Sequence, residues 1–396
     1  MSNNARVTLA CFFAYFVMSG MLAPIGIVLP PLAEHLGQSV ADVAPIFSWL
    51  TLGILLGSAL ALVVFDVLTV RMWILLVYLA IAAALLTLRL SDSALALRLS
   101  LGVVGTGCGI GLAASASTIT QLYAEDHRAS MLVITDGSFS VAGIVISTLA
   151  VSLVAAGLHW STSYLAVAVV AALVVILVAT ARFPSTNSVD AVHITSPAWP
   201  LPVWLCIVAL FLYTLGQYSL LWWLPTYLEE SLGAPRDAAG AVVARFWTGM
   251  LIAQLLVAWW VLRIGARRLV LLSVGGAFLG SLPLWLSESL TWLPWLSLVW
   301  GVANLGLLKI VISFATLAVP SPTPRLVAAL LFGATSGTAI SPKVTSIIVG
   351  TMDTRAVLQF GSLCYLALGI LVFVAWWLMH SRVDTGRGCG QITGET

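Results

Sequence analysis

GQYSLLWWLPTYLEESLGAPRDAAGAVVARFWTG, Gly216 to Gly249, holds an apolar helix end, a short polar turn and the start of a second apolar helix. An earlier stretch, LPPLAEHLGQSVADVAPIFSWLTLG from Leu29 to Gly53, has the same plan. Gly37 and Gly53 are matched by Gly233 and Gly249 at one offset of 196 positions, nearly half of the 396-residue chain. The chain reads as two copies of one unit. At this offset Arg245, a fixed positive charge inside the second apolar helix, stands opposite Trp49.

Composition names the solvent around both copies. Charged residues make up 8% and apolar residues 61%, with mean hydropathy +1.08, against roughly a quarter charged in an average soluble protein. That much apolar surface requires lipid. The net charge of +2 comes without a basic cluster interleaved with aromatics, so no nucleic-acid partner is expected. Cys11, Cys108, Cys206, Cys364 and Cys389 lack ligand spacing and read as small packing residues. The five histidines fall at segment ends or in loops, which argues against a metal site or a histidine relay within the membrane.

Apolar runs of spanning length lie near 7–33, 43–65, 71–90, 95–123, 130–156 and 159–182, and again near 201–228, 238–262, 267–287, 291–319, 325–350 and 355–380. They are continuous rather than alternating, which selects helices over a barrel. The expected fold is an all-α membrane protein with twelve transmembrane helices in two six-helix halves, 1–182 and 201–381. Residues 183–200, rich in Ser, Thr and Pro, form a cytoplasmic linker, and 382–396 a cytoplasmic tail. With both termini inside, ten loop arginines lie on the cytoplasmic side and four outside, the bias expected of a bacterial inner membrane protein. Tryptophans near segment ends, among them Trp204, Trp222, Trp223, Trp292 and Trp377, read as interfacial anchors. The first run lacks a cleavage signature, so it is expected to span rather than to be removed.

Two parallel six-helix repeats joined by an inside loop resemble the major facilitator superfamily. Arg98-Leu-Ser-Leu-Gly102-Val-Val-Gly105-Thr-Gly107-Cys-Gly109 is similar to its arginine-then-glycine fourth helix. Asp66 and Arg71 keep part of the loop motif after helix 2, and Arg263-Ile-Gly265-Ala-Arg267-Arg268 keeps its basic part in the second half. Strings in both halves look like TsgA-type transporters: Ile119 to Tyr123, Thr135 to Gly143, Gly216 to Tyr227, Phe246-Trp247 and Val319 to Pro322. The resemblance implies a secondary transporter working by alternating access, with helices 1, 4, 7 and 10 lining the cavity.

Ionisable groups within a span cost roughly 2.5–3.5 kcal/mol on insertion scales and mark function. Four stand out: Asp136 in helix 5, Arg245 in helix 8, Lys309 in helix 10 and Lys343 in helix 11. Arg245 and Lys343 each lie about 12 Å below the outer end at 1.5 Å per residue. Two cations at one depth suit a small anion, the Arg binding an oxyanion bidentately and the Lys adding a point charge. Oxalate/formate exchangers are similar in placing basic residues on the corresponding helices, a match by helix rather than by motif. The competing reading is that these cations bond carbonyls or snorkel outward. Gln217 and Asn304, amides at mid-span that need partners, are the further substrate-binding candidates, beside Tyr15, Gln121, Tyr213, Tyr218 and Trp222. Asp136 and Lys309 are expected to form a gating or ion-coupling pair that closes the cytoplasmic side in the outward-open state; alternatively Asp136 serves its neighbours Thr135 and Ser138.

The expectation is a secondary active transporter of a small solute, and not an enzyme. No GxxxxGK[ST] loop and no nucleophile–base constellation is present. No cofactor or metal is implied. The solute is an anion held by Arg245 and Lys343, or alternatively a neutral polar molecule such as a sugar bound by Gln217, Asn304 and aromatics. A non-transporting membrane sensor is the other alternative. The partners are the solute and the lipid bilayer, and the protein is expected to act as a monomer.

Overall fold

A computed structural model describes residues 2–64, 67–91, 93–123, 125–183, 199–319 and 324–389. In hydrocarbon every backbone N–H and C=O must find its partner within the protein, which leaves helices as the economical solution for runs this apolar. The helices are α1 (Asn3–Leu22), α2 (Ile25–Leu36), α3 (Val40–Val43), α4 (Ser48–Val64), α5 (Val70–Leu90), α6 (Ala94–Leu122), α7 (Glu125–Ala155) and α8 (Thr162–Thr180). The second set is α9 (Leu201–Leu232), α10 (Arg236–Ile264), α11 (Ala266–Ser281), α12 (Pro283–Leu286), α13 (Leu293–Ala303), α14 (Leu307–Thr316), α15 (Pro324–Thr351) and α16 (Thr354–Cys389). Among the described residues, eleven helical segments are long and apolar enough to cross a membrane. The remaining long helix, α15, has 28 residues. Its length spans a bilayer at 1.5 Å per residue, but Thr335, Ser336, Thr338, Ser341, Lys343, Thr345 and Ser346 dilute its apolar character.

The repeat is legible in the packing. Gly37 and Gly233, the residues that stop α2 and α9, are both left-handed, with φ 64° and 65°, the conformation that glycine adopts without strain. Gly53 of α4 lies so close to α6 that a Cβ there would sit 2.9 Å from the Thr106 nitrogen. Gly249 of α10 lies equally close to α13, where a Cβ would sit 2.8 Å from the Val302 nitrogen. Gly105 and Gly301 complete the two contacts from the opposing helices. All four pairings obey the 196-residue offset, so the same small-residue seam that lets helices approach is built twice.

One element breaks the symmetry. Helix α6 runs without interruption, whereas its counterpart is divided into α13 and α14 at Asn304–Leu305–Gly306. Leu305 has φ 44° and Gly306 φ 61°. A left-handed leucine costs roughly 1–2 kcal/mol, so the surroundings must hold it there. Asn304 does this from a fully buried position: its Nδ2 donates to the Trp300 carbonyl at 2.8 Å and its Oδ1 accepts from the Tyr365 hydroxyl at 3.2 Å.

The halves meet at the face opposite the one where the chain starts, here the far face. Pro24, just past α1, has no N–H to return to the Gly20 carbonyl, and at this helix end the Leu22 carbonyl accepts from the Trp222 indole at 3.0 Å. Gly26 lies directly against the Trp222 backbone. Thr51 donates to the Ala339 carbonyl at 2.9 Å, and Ser346 to the Ala41 carbonyl at 2.8 Å. Thus α2 packs on α9 and α10, α3 and α4 on α15, and α7 on α10. Among the described residues α6 makes no comparable contact with α14 or α15. Across the far face the described helix ends of the two halves are thus in contact.

Several sequence expectations need correction or fall outside the described residues. Trp222 and Trp223 are buried at 1% exposure each, because they face the other half and the bundle interior rather than an interface belt. Helix α16 continues through Cys389, into the segment expected as a tail. Most of the 183–200 linker, Asp66, most of the Val319–Pro322 string and the side chains of Arg128, Arg325, Arg382 and Arg387 lie outside the described set.

Candidate functional site

Two of the intramembrane charges come together. Lys309 Nζ lies 3.1 Å from Asp136 Oδ1, joining α14 of the second half to α7 of the first. Helix α7 begins at Glu125, which puts Asp136 about 16 Å from its near end at 1.5 Å per residue, deeper than the span boundary at residue 130 implies. Lys309 is in the first turn after the break in α13–α14. A carboxylate is stabilised by a helix N-terminus, and a lysine there is not unless it is paired; the Asp136–Lys309 pair satisfies both. The lysine side chain is 52% exposed and the aspartate 23%, so the pair borders open space. Thr135 and Ser138 donate elsewhere, to the Met131 carbonyl at 2.6 Å and the Phe12 carbonyl at 3.0 Å, which removes the reading of Asp136 as a local cap.

The pair was expected to form in the outward-open state and to break in the other; here it is made with the far-face contacts between the halves in place.

Tyr15 of α1 and Tyr213 and Tyr218 of α9 are buried, at 8%, 3% and 7% exposure. Gln217, 4% exposed on α9, has an Oε1 with no hydrogen-bond partner. An acceptor left unmade in a buried setting costs roughly 1–3 kcal/mol, so it is a group that a donor from a ligand would satisfy. Gln121, at the near end of α6, is exposed and bonds Ser117 at 3.3 Å.

Arg245, Lys343 and Asn304 do not join this site. Arg245 is exposed on the α10 stripe that also carries Ile252 and Leu255, 40% and 70% exposed. Its guanidinium lies over the Trp295 ring, 5.2 Å from the centroid. Lys343 is exposed on the α15 stripe with Ile340 and Ile347. Equal depth was the ground for pairing them, but depth says nothing of azimuth, and long cationic stems snorkel along a helix surface. The two cations therefore do not converge on one anion. Asn304 is spent on the α13–α14 break.

Sequence reasoning missed the far-face latch. Arg236 pairs bidentately with Glu34 of the other half, Nη1 to Oε2 at 3.2 Å and Nη2 to Oε1, while its Nε donates to Glu229 Oε2 at 3.3 Å. The guanidinium beside Glu34 holds that carboxyl below the usual glutamate range. A cavity of about 490 Å³ lies beside the latch. The signal was present: the repeat places Gln38-Ser-Val and Ala234-Pro-Arg236 at matching turns, the second carrying charge.

A family model described as "Major Facilitator Superfamily" matches residues 11–233 and 206–388. The chain belongs to the major facilitator superfamily. It is 27% identical over 394 residues to a TsgA homolog of Erwinia tasmaniensis, covering 97% of this chain and 100% of that one. It is 26% identical over 389 residues to the TsgA protein of Salmonella arizonae, covering 96% and 97%. Its fold is similar to the crystal structure of the nucleoside transporter NupG, with TM-score 0.69, 13% identity, and 95% and 99% of the two chains covered. A mutant of NupG superposes with TM-score 0.74 at 12% identity, covering 94% and 100%. The protein is a multi-pass membrane protein of a bacterial transporter family.

Proposed function

We propose that this protein is a secondary transporter that carries a small polar solute of no net charge through the cleft bordered by Asp136, Lys309, Gln217 and Tyr218. The near face would be cytoplasmic in the bacterial inner membrane. What supports the reading is the charge balance of the cleft: Asp136 and Lys309 offset one another at 3.1 Å, while Arg245 and Lys343 are exposed on stripes of α10 and α15 shared with apolar residues. An anion entering would have to compete with Asp136 for Lys309 and leave a carboxylate unpaired, which is costly in a partly desolvated site. A neutral solute with N–H or O–H groups has the buried Gln217 Oε1 to satisfy and aromatic faces to stack on. The nucleoside transported by the structural neighbour belongs to this chemical class and heads the panel of solutes to test.

The experiment is counterflow of labelled solutes into proteoliposomes, with nucleosides, sugars, zwitterionic amino acids and small dicarboxylates as the panel. Exchange is expected from one of the net-neutral classes, lost in Asp136→Asn and unchanged in Arg245→Gln combined with Lys343→Gln. Dicarboxylate exchange that disappears in the latter variant would overturn the proposal in favour of an anion.

A further inference from the structure

Arg245 is left with an unmet physical need. Its guanidinium has no acidic partner among the described residues; the contact it makes is with Trp295, itself 53% exposed. Around it the surface is apolar, with Ile252, Leu255 and, on α13, Trp292 and Val299 all exposed. At about 1.5 Å per residue Arg245 sits some 13 Å from the far end of α10, within reach of the headgroup layer once its stem extends outward. An arginine always carries its charge, and a charge held at a lipid face draws a counter-charge from whatever borders it.

The repeat sharpens the point. At the same position the first half has Trp49, 47% exposed, with Leu99 at the position equivalent to Trp295. Trp49 and Leu52 form an ordinary apolar lipid face. The second half has exchanged one aromatic for a guanidinium and supplied a new aromatic shelf beneath it. An indole under an arginine fixes the fork through a cation–π contact and leaves its N–H edges free for an oxyanion.

We propose that Arg245 and Trp295 form a docking point for the phosphate of an anionic phospholipid in the far-face leaflet. The occupant is a lipid rather than a second copy of this chain, because the surrounding patch is apolar and suits acyl chains, and it presents no carboxylate that a symmetric partner would return.

The test is lipid retention by purified full-length protein, read by native mass spectrometry after incubation with phosphatidylglycerol or phosphatidylcholine. Arg245→Trp recreates the first half's residue, so it keeps the surface tolerated by the same seam; far-ultraviolet dichroism and thermal midpoint check its folding. Wild type is expected to retain phosphatidylglycerol over phosphatidylcholine by at least about fivefold more than Arg245→Trp does, the factor set by one cationic contact with an anionic lipid. Arg245→Lys is expected to fall between them. Equal selectivity in wild type and Arg245→Trp overturns the proposal. So does full displacement by millimolar inorganic phosphate, which would make this a free-oxyanion site, or an Arg245-dependent dimer without bound lipid.

Discussion

Separating Asp136 from Lys309 should shift the balance between the two faces of the protein, by an amount the geometry sets. Two unit charges about 3 Å apart attract by roughly 5 kcal/mol at an effective dielectric near 20. Lys309 is 52% exposed and Asp136 23%, so water returns much of that attraction. The net value falls between exposed pairs, at roughly 0–1 kcal/mol, and fully buried ones, at roughly 3–5 kcal/mol; about 1–2 kcal/mol is the expectation. Where the pair parts as the far face opens, its loss should raise the far-face-open population by about 5–30-fold. A cysteine at Thr226 reads that population. Thr226 is 1% exposed on the α9 face shared with Tyr218 and Trp222, behind the contact with Leu22. Cys11, Cys108, Cys206 and Cys364 are buried, so Thr226→Cys with Cys389→Ser gives a low background for maleimide labelling. When opening is fast relative to labelling, the rate follows the open population. Asp136→Asn and Lys309→Met should each label faster than the parent, and the exchange Asp136→Lys with Lys309→Asp should return most of the way. Single variants that label at the parent rate, or an exchange as fast as the singles, would refute a state-dependent pair.

The latch can be tested with the same reporter: Arg236→Gln should speed labelling of Thr226→Cys, and Glu34→Gln should do so too. Because Arg236 depresses the Glu34 carboxyl, closure is fully supported above the ordinary glutamate value of about 4.3 and weakens as pH falls through the depressed one. Labelling should therefore rise on acidification in the parent and rise less in Glu34→Gln, where Glu229 and Asp136 remain as the carboxylates that can titrate. Gly249→Leu should separate α10 from α13, since even a Cβ there meets the Val302 nitrogen and the Leu298 carbonyl; overpacking of this kind costs about 1–3 kcal/mol, visible as a lower thermal midpoint in detergent. Tyr365→Phe removes the donor to Asn304 Oδ1 and should cost about 1–3 kcal/mol for the unpaired buried acceptor, with Asn304→Leu in the same background adding less than it does alone.

The fold was readable because lipid leaves the chain so few options. Spans follow from continuous apolar runs, and duplication followed from four glycines, which turn out to be two helix stops and the centres of two helix seams. The site was half readable. Asp136 and Lys309 could be paired from depth because they belong to opposite halves and carry opposite charge. Arg245 and Lys343 could not be separated from the cleft by depth, since a helix displays every azimuth at each level and only neighbours such as Ile252 or Ile347 disclose which side is wet. The break at Asn304–Gly306 was hidden for another reason: a left-handed leucine has no sequence signal of its own, and Asn304 looked like a cavity amide until Tyr365 was placed beside it. The latch needed two helix ends 202 positions apart to be read together; the repeat marks Arg236 as a charge its counterpart Val40 lacks, but does not point to Glu34.

Two of the divergences between the halves have different consequences. The exchange of Trp49 for Arg245 alters an exposed surface and leaves the seam of Gly249 and Gly301 as it was. The interruption of α13–α14 alters the interior, because α6 at the same register is a single rigid rod. A continuous helix can only tilt with its bundle, whereas α14 can turn about Asn304–Gly306 while α13 stays fixed to α10 and Tyr365. Lys309 sits just beyond that pivot and is held by the opposite half through Asp136. A solute bonded to Gln217 in the same cleft would therefore act on a short helix set off from α13 by the left-handed pair Leu305–Gly306. That argument fails if Gly306→Ala, which penalises the left-handed pivot by roughly 1 kcal/mol, leaves both counterflow and Thr226→Cys labelling unchanged.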